Sequence, residues 1–408
     1  MFIDVASLLY AHFLKCDCLV RNQIQIRPVA TFNDEGNSIM ESEPRIILIT
    51  GSSGFLGQAL SQHFGAQPNT LVVGFDRFES PHPTPKEECL FCDMSSDESV
   101  QKTFQLLKTR NGNKIDAVFH LAAYYSFSGE ESSMYKKVTV QGTERLLREL
   151  QGFEVGQFVF SSSMLVHKPN QQGEKITEDS PIEPTWQYPL SKVETEKVIT
   201  EKHGKMPSVI LRIAGVYGDN CNSIPIAHQI QRIYEGQLEG HLYSGDTDVR
   251  QSFMHVDDLV SAFQAVVDHK DVLPDLSVFE IGEPDAMSYE EMQKEMGMLI
   301  HGTDWKTFSV PKPIAKLGAM VESEIPFIEK PFVKPWMVDH ADDNYDISID
   351  KAKAVLGWSP RCHMSETIPK MIAKLKADPV GFYKINDLKA PGWLKDKHPE
   401  SVASTAQG

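Results

Sequence analysis

The sequence predicts an α/β protein: a Rossmann-type, doubly wound parallel sheet with a smaller mixed α/β C-terminal domain. Three observations predict it. Short apolar runs alternate with amphipathic stretches, the pattern that βαβ units leave in a sequence. A glycine triplet, Gly51, Gly54 and Gly57, follows the first apolar run and opens helix-like sequence. An acid, Asp76, closes the second run, where a Rossmann fold binds the adenosine ribose.

The organising stretch is Arg45 to Gly57, RIILITGSSGFLG. Its apolar run reads as a buried parallel strand. Gly51 would make the tight turn, Gly54 would let backbone approach phosphates, and Gly57 would let the helix pack on the strand. Phe55 and Leu56 lie between the last two glycines and open the helix. That geometry puts a pyrophosphate on a helix N-terminus. The second strand runs Leu71 to Phe75 and ends in Asp76-Arg77. A carboxylate at Asp76 would accept both ribose hydroxyls and repel a 2′-phosphate, which favours NAD, while Arg77 could pair with that phosphate and favour NADP. Leu90 to Asp93 reads as a third short strand, with Asp93 a candidate contact to the adenine edge.

Ala117 to Ala123 is the fourth strand, and Leu121, Ala122 and Ala123 leave room for a cofactor. His120 sits in an apolar run and reads as a satisfied core histidine. Residues 134–150 are helical, and Val155 to Phe160 is a fifth strand running into Ser161-Ser162-Ser163. Tyr188 and Lys192 then open a helix at a spacing of four, which puts both on one face. Val209 to Ile213 and Ser277 to Ile281 complete seven strands. The reading gives an N-terminal extension, 1–44, taken as disordered. A cofactor domain follows at 45–220 and 253–282, then a substrate domain at 221–252 and 283–378, and a loose tail at 379–408.

Composition narrows the partners. The chain has 408 residues, 41% of them hydrophobic, and a net charge of −16, which argues against nucleic acid. No run approaches a membrane span. Residues 1–40 hold an apolar stretch, but Asp4 stands where a secretory signal needs a basic residue, and Met40 offers an alternative start. Six cysteines show no paired zinc spacing. Cys89 and Cys92 read as structural thiols of a reduced, cytoplasmic protein, and no metal is expected.

Together the segments TGSSGFLG, VFHLAA, FVFSSS, YPLSK, LRIAGVYG, RQSFMHVDD and KAKAVLGWSP resemble the extended short-chain dehydrogenase/reductase superfamily, in its NAD-dependent epimerase/dehydratase branch. The resemblance covers residues 45–375. It implies an NAD-dependent enzyme in which Tyr188 moves a proton and Ser163, with Ser162 as the alternative, hydrogen-bonds the same substrate oxygen. Lys192 would favour the phenolate and hold the nicotinamide ribose. A homodimer through the helices near residues 134–150 and 186–202 is implied as well.

The family's dehydratases carry acids where this chain has Met164 and Leu165, so reversible hydride transfer at a secondary alcohol is expected rather than elimination. Its sugar-nucleotide epimerases usually carry Asn where Gly215 stands. Arg250 matches an arginine that contacts a nucleotide-sugar pyrophosphate, or else is a structural arginine between domains. LRIAGVYG also resembles 3β-hydroxysteroid dehydrogenases. Three functions follow: an enzyme of sugars or nucleotide-sugars, a dehydrogenase of an apolar alcohol, or a non-catalytic nucleotide-binding protein.

Overall fold

In a computed structural model of the chain, the described residues are 31–32, 38–39, 43–126, 130–317 and 333–397. Strand β1, Arg45–Thr50, lies inside the sheet, paired on both edges. It is followed by β2 (Thr70–Asp76), β3 (Glu87–Phe91), β4 (Ala117–His120), β5 (Phe158–Ser163), β6 (Ser208–Ile213) and β7 (Leu276–Ile281). The spatial order is β7-β6-β5-β4-β1-β2-β3 and every pairing is parallel. The order reverses beside β1, and the crevice there is where such sheets bind ligands. All seven expected strands are present. The third starts earlier than the apolar run indicated and stops at Phe91, so Asp93 lies beyond its end.

Alternation along the strands divides the core. Ile47 and Ile49 of β1 join one apolar cluster, and Ile46 and Leu48 join another. The first cluster takes Leu60 and Phe64 from helix α1 (Phe55–Gly65). The second takes Phe104 from α2 (Asp97–Asn111), Leu146 from α3 (Gln141–Leu150) and Ile199 from α4 (Gln187–Lys202). Six residues before α3, Tyr135–Val140, wind as a π-helix, a local widening that apolar periodicity does not reveal.

The C-terminal half gathers on a third cluster. Helix α5 (Ile224–Tyr234) supplies Ile226, Ile230 and Ile233. Helix α6 (Val256–Asp268) belongs instead to the sheet, with Phe263 in the first cluster. Ahead of that helix, Phe253–His255 is a short strand, paired in parallel with Gly215–Tyr217. Helices α7 (Tyr289–His301) and α8 (Met364–Ala377) complete the third cluster with Met296, Ile368 and Met371.

The expected loose tail is not loose over residues 379–394. Helix α9, Pro379–Ile385, buries Phe382 and Tyr383, and Leu394 is buried after it. The Tyr383 hydroxyl donates to Glu235 at 2.8 Å. Lys, Pro and Ser content masked three apolar anchors whose partners lie far back in the chain. The residues past Lys397 lie outside the described set. So does most of the 1–44 extension, where Thr31–Phe32 and Ser38–Ile39 form a two-residue antiparallel pair.

Candidate active site

The glycine turn has the shape a dinucleotide needs. Gly51 adopts φ +74°, and its α-carbon faces the backbone of Ala122 so closely that a Cβ there would sit 3.1 Å from the Ala122 nitrogen. A Cβ on Gly57 would lie 2.2 Å from the Gly51 carbonyl oxygen. Gly54 caps α1 with no side-chain hydrogen bond, and the first turn holds no acid. The first amides of α1, from Phe55 and Leu56 onward, therefore remain free to donate to a phosphate. Nearby, the buried Ser52 hydroxyl has no hydrogen-bond partner among the described residues. These residues fit the pyrophosphate of NAD.

Asp76 ends β2 beside this turn. Its Oδ2 accepts from the Ser53 amide at 3.0 Å, and its Oδ1 accepts from the amides of Arg77 (2.7 Å) and Phe78 (3.2 Å). Arg77 is exposed and lies over the Phe78 ring, 5.6 Å from its centre. The Asp93 carboxylate is taken up by its own turn, accepting from the Ser95 amide (2.9 Å) and hydroxyl (2.7 Å). His120 is fully buried between Thr50 (2.7 Å) and Thr143 (2.7 Å), and burial pulls its pKa down to about 3. It is a core histidine. The half-buried Leu121, Ala122 and Ala123 follow it, and the Ala122 amide donates to the Thr50 hydroxyl at 3.2 Å.

Ser163 ends β5 and its hydroxyl accepts from the Leu165 amide at 3.2 Å. Tyr188 stands in the first turn of α4 and Lys192 one turn on. Burial pushes the Tyr188 phenol well up, and hydrogen bonding to Ser163 pulls it partly back. Burial also pulls the Lys192 ammonium down, to about 7, opposed by the charge of Glu196. Lys192 Nζ donates to the Ser161 carbonyl at 2.6 Å and lies 4.8 Å from the Phe160 ring centre. Expectation had Lys192 lowering the Tyr188 pKa. In this state burial prevails, and the ammonium points to a carbonyl instead.

Ser163 and Tyr188 open into a cleft of about 710 Å³. Phe55 and Leu56 line it, so it adjoins the glycine turn. Its walls are mainly apolar and aromatic, among them Met164, Leu165, Trp186, Tyr243, Tyr289 and Trp336. Tyr125 meets the Tyr188 ring edge-on at 4.6 Å, Trp186 lies 5.5 Å from it, and Trp336 lies 5.1 Å from Trp186. Gly215 lines the cleft too, but the Phe253 ring fills the space beside it: a Cβ would come within 2.5 Å of that ring. That ring leaves no room for an asparagine at position 215.

The structure does not bring Arg250 into this cleft. Its Nη1 donates to the Ala286 carbonyl and pairs with Glu291 at 3.2 Å, and its amide donates to Asn344 at 2.9 Å. Those contacts make it a structural arginine between segments. Ser162 does line the cleft, but its hydroxyl is taken up by Glu196 on α4, to which it donates. Glu196 grips Arg212 through both oxygens, at 3.1 and 2.8 Å. Arg212 reaches His167 (3.2 Å), which lies 2.7 Å from Glu280, and burial pushes the Glu280 carboxyl up. Sequence reading missed this buried network and the aromatic wall. The spacing of four from Lys192 to Glu196 was the available sign.

A profile of the NAD dependent epimerase/dehydratase family matches residues 47–282, more than half of the chain. The chain is 27% identical over 331 residues to UDP-glucose 4-epimerase of Vibrio cholerae, covering 78% of this chain and 91% of that protein. It is 25% identical over 359 residues to 3-beta-hydroxysteroid dehydrogenase of Mycolicibacterium neoaurum, covering 80% and 90%. The fold is that of UDP-glucuronic acid 4-epimerase from Bacillus cereus, crystallised with UDP-glucuronic acid and NAD: TM-score 0.60, 20% identity, 81% of this chain and 99% of that one. With a glycine turn shaped for a dinucleotide, a Ser-Tyr-Lys set beside it and a family profile spanning both, the chain belongs to the NAD-dependent epimerase/dehydratase family of enzymes.

Proposed function

We propose that the protein catalyses reversible, NAD-dependent hydride transfer at a secondary alcohol whose body is apolar. The observation that carries this reading is the aromatic and aliphatic wall around Tyr188, in a cleft that Arg250 does not enter. The sterol-type relative from Mycolicibacterium neoaurum supports it. In this proposal Gly51, Gly54, Phe55, Leu56 and Gly57 hold the NAD pyrophosphate. Asp76 takes the adenosine ribose with Arg77 beside it, Asp93 lies toward the adenine, and Leu121, Ala122 and Ala123 wall the groove. Bound NAD supplies the hydride acceptor or donor at its nicotinamide ring.

The chain's own part is proton management. Tyr188 takes the proton from the substrate hydroxyl, or returns it to the carbonyl. Ser163 donates a hydrogen bond to the same oxygen, with Ser162 engaged by Glu196. A protonated Lys192 steadies the phenolate that forms and holds the nicotinamide ribose. Met164 and Leu165 carry no proton to transfer, so neither supplies an acid or base for elimination.

A second reading, a nucleotide-sugar epimerase, draws on the Vibrio cholerae relative and on Asn222 and Arg232, polar groups within the cleft. One experiment separates the two. Enzyme and NAD are incubated with a 3β-hydroxysteroid and, separately, with UDP-glucose, while NADH absorbance and product NMR are followed. Stoichiometric NADH from the steroid is expected. An inverted sugar without NADH would replace the first reading with the second, and a deoxy-keto product would overturn the roles given to Met164 and Leu165.

The assembly proposed is a homodimer through α3 and α4, where Leu190 is 40% exposed on α4. A reducing, cytoplasmic setting is proposed on the free thiols of Cys89, Cys92, Cys221 and Cys362. Among the described residues no helix is long and apolar enough to cross a membrane.

A further inference from the structure

Helix α5 brings an unexpected polar pair to the apolar cleft. Pro225, Gln229 and Arg232 are spaced four and three apart, so they share one helical face, and all three line the cleft. Gln229 is only 4% exposed, yet its Nε2 has no hydrogen-bond partner among the described residues. A buried amide left unpaired is costly and calls for a partner. Arg232 is half-buried, and among the described residues its guanidinium makes no hydrogen bond or ion pair. After burial, its charge helps hold the pKa of the neighbouring His228 down.

The other charges on the cleft do not neutralise this pair. Asp343 is engaged by His340 at 2.8 Å, and Glu239 is exposed. Two donors, one of them a fixed cation, thus stand together on a wall otherwise suited to hydrocarbon. A guanidinium presents parallel N–H groups that match an oxyanion, and a primary amide adds a further donor.

We propose that Gln229 and Arg232 form an oxyanion subsite, and that the substrate is an apolar secondary alcohol carrying a carboxylate or phosphate on its far part. The proposal rests on the apolar-alcohol reading above. In this proposal both residues set specificity rather than chemistry.

The test is a binding titration with NAD present, read by tryptophan fluorescence, because Trp186 and Trp336 line the same cleft. The probes are 3β-hydroxy-5-cholenoic acid, its methyl ester, and UDP-glucose as the phosphate-bearing alternative. Expected is binding of the acid about tenfold or more tighter than the ester. Arg232→Ala and Gln229→Leu should weaken the acid alone, and Arg232→Lys should keep part of the preference.

Equal binding of acid and ester by the unaltered protein, or a preference that survives Arg232→Ala, overturns the subsite and leaves the apolar reading standing. Binding of UDP-glucose with no binding of either steroid overturns the apolar reading. The subsite then survives only if Arg232→Ala weakens UDP-glucose. Binding of none of the three overturns both.

Discussion

The ammonium of Lys192 donates its 2.6 Å hydrogen bond to the main-chain carbonyl of Ser161, while the Tyr188 ring centre lies 5.6 Å away. The lysine is thus anchored to the strand that carries Ser163, in a site where burial disfavours its charge. Its pKa falls from 10.5 to about 7. Between those values the unfolded chain holds a proton that the folded chain has released. Stability of the cofactor-free protein should therefore rise with pH from about 7 toward 10.5 on account of this group, and the penalty is fullest below 7. Lys192→Met should flatten that slope, its stability relative to the unaltered protein being highest near neutrality and declining as pH rises. Urea unfolding across that range measures it, and parallel slopes would refute it.

Turnover should depend on the Tyr188 hydroxyl. Tyr188→Phe keeps the ring contacts to Tyr125 and Trp186 and removes the proton carrier. Activity on the identified alcohol should fall roughly a hundredfold or more while NAD binding is kept. Steady-state rates beside a cofactor titration decide it; undiminished turnover would remove Tyr188 from its role.

Cofactor choice should reside in Asp76. Its carboxylate already orders the glycine turn through the Ser53 amide. Asp76→Ala should weaken NAD by about tenfold and NADP much less, because the repulsion of the 2′-phosphate disappears and Arg77 remains. Calorimetric titration of both cofactors tests this, and an unchanged ratio would point away from Asp76.

Breaking the Glu196–Arg212 pair should cost more than a surface ion pair. Both side chains are largely buried, Glu196 12% and Arg212 8% exposed, and Ser162 depends on the same carboxylate. Removing one partner of a buried pair strands the other, at a cost of about 3–5 kcal/mol. Glu196→Gln should lower the urea midpoint accordingly, and a loss below about 1 kcal/mol would class the pair with exposed ones.

Much of this protein was legible from its own sequence because the relevant signals are local. The apolar runs mark six strands and part of the edge strand Glu87–Phe91, since a parallel strand covered on both faces is mostly apolar. Gly51, Gly54 and Gly57 announce the cofactor turn, because their spacing is read by a single strand–turn–helix unit. Tyr188 and Lys192 share a face through helical periodicity alone.

Tertiary structure decided the rest, because it joins residues no local pattern connects. Ser162, Arg212 and Glu280 stand at the same level on three adjacent parallel strands, so chain segments far apart converge into one buried network. The motif left Arg250 open between a pyrophosphate ligand and a structural arginine, and Glu291 and Ala286, contributed by a later segment, hold it outside the cleft. Residues 379–394 looked loose by composition, and burial of Phe382, Tyr383 and Leu394 against α5, α7 and α8 makes them part of the core. The lining of the cleft was likewise unreadable in sequence. Its walls come from the ends of several strands and from helices of the C-terminal half, and only their packing determines which side chains face inward.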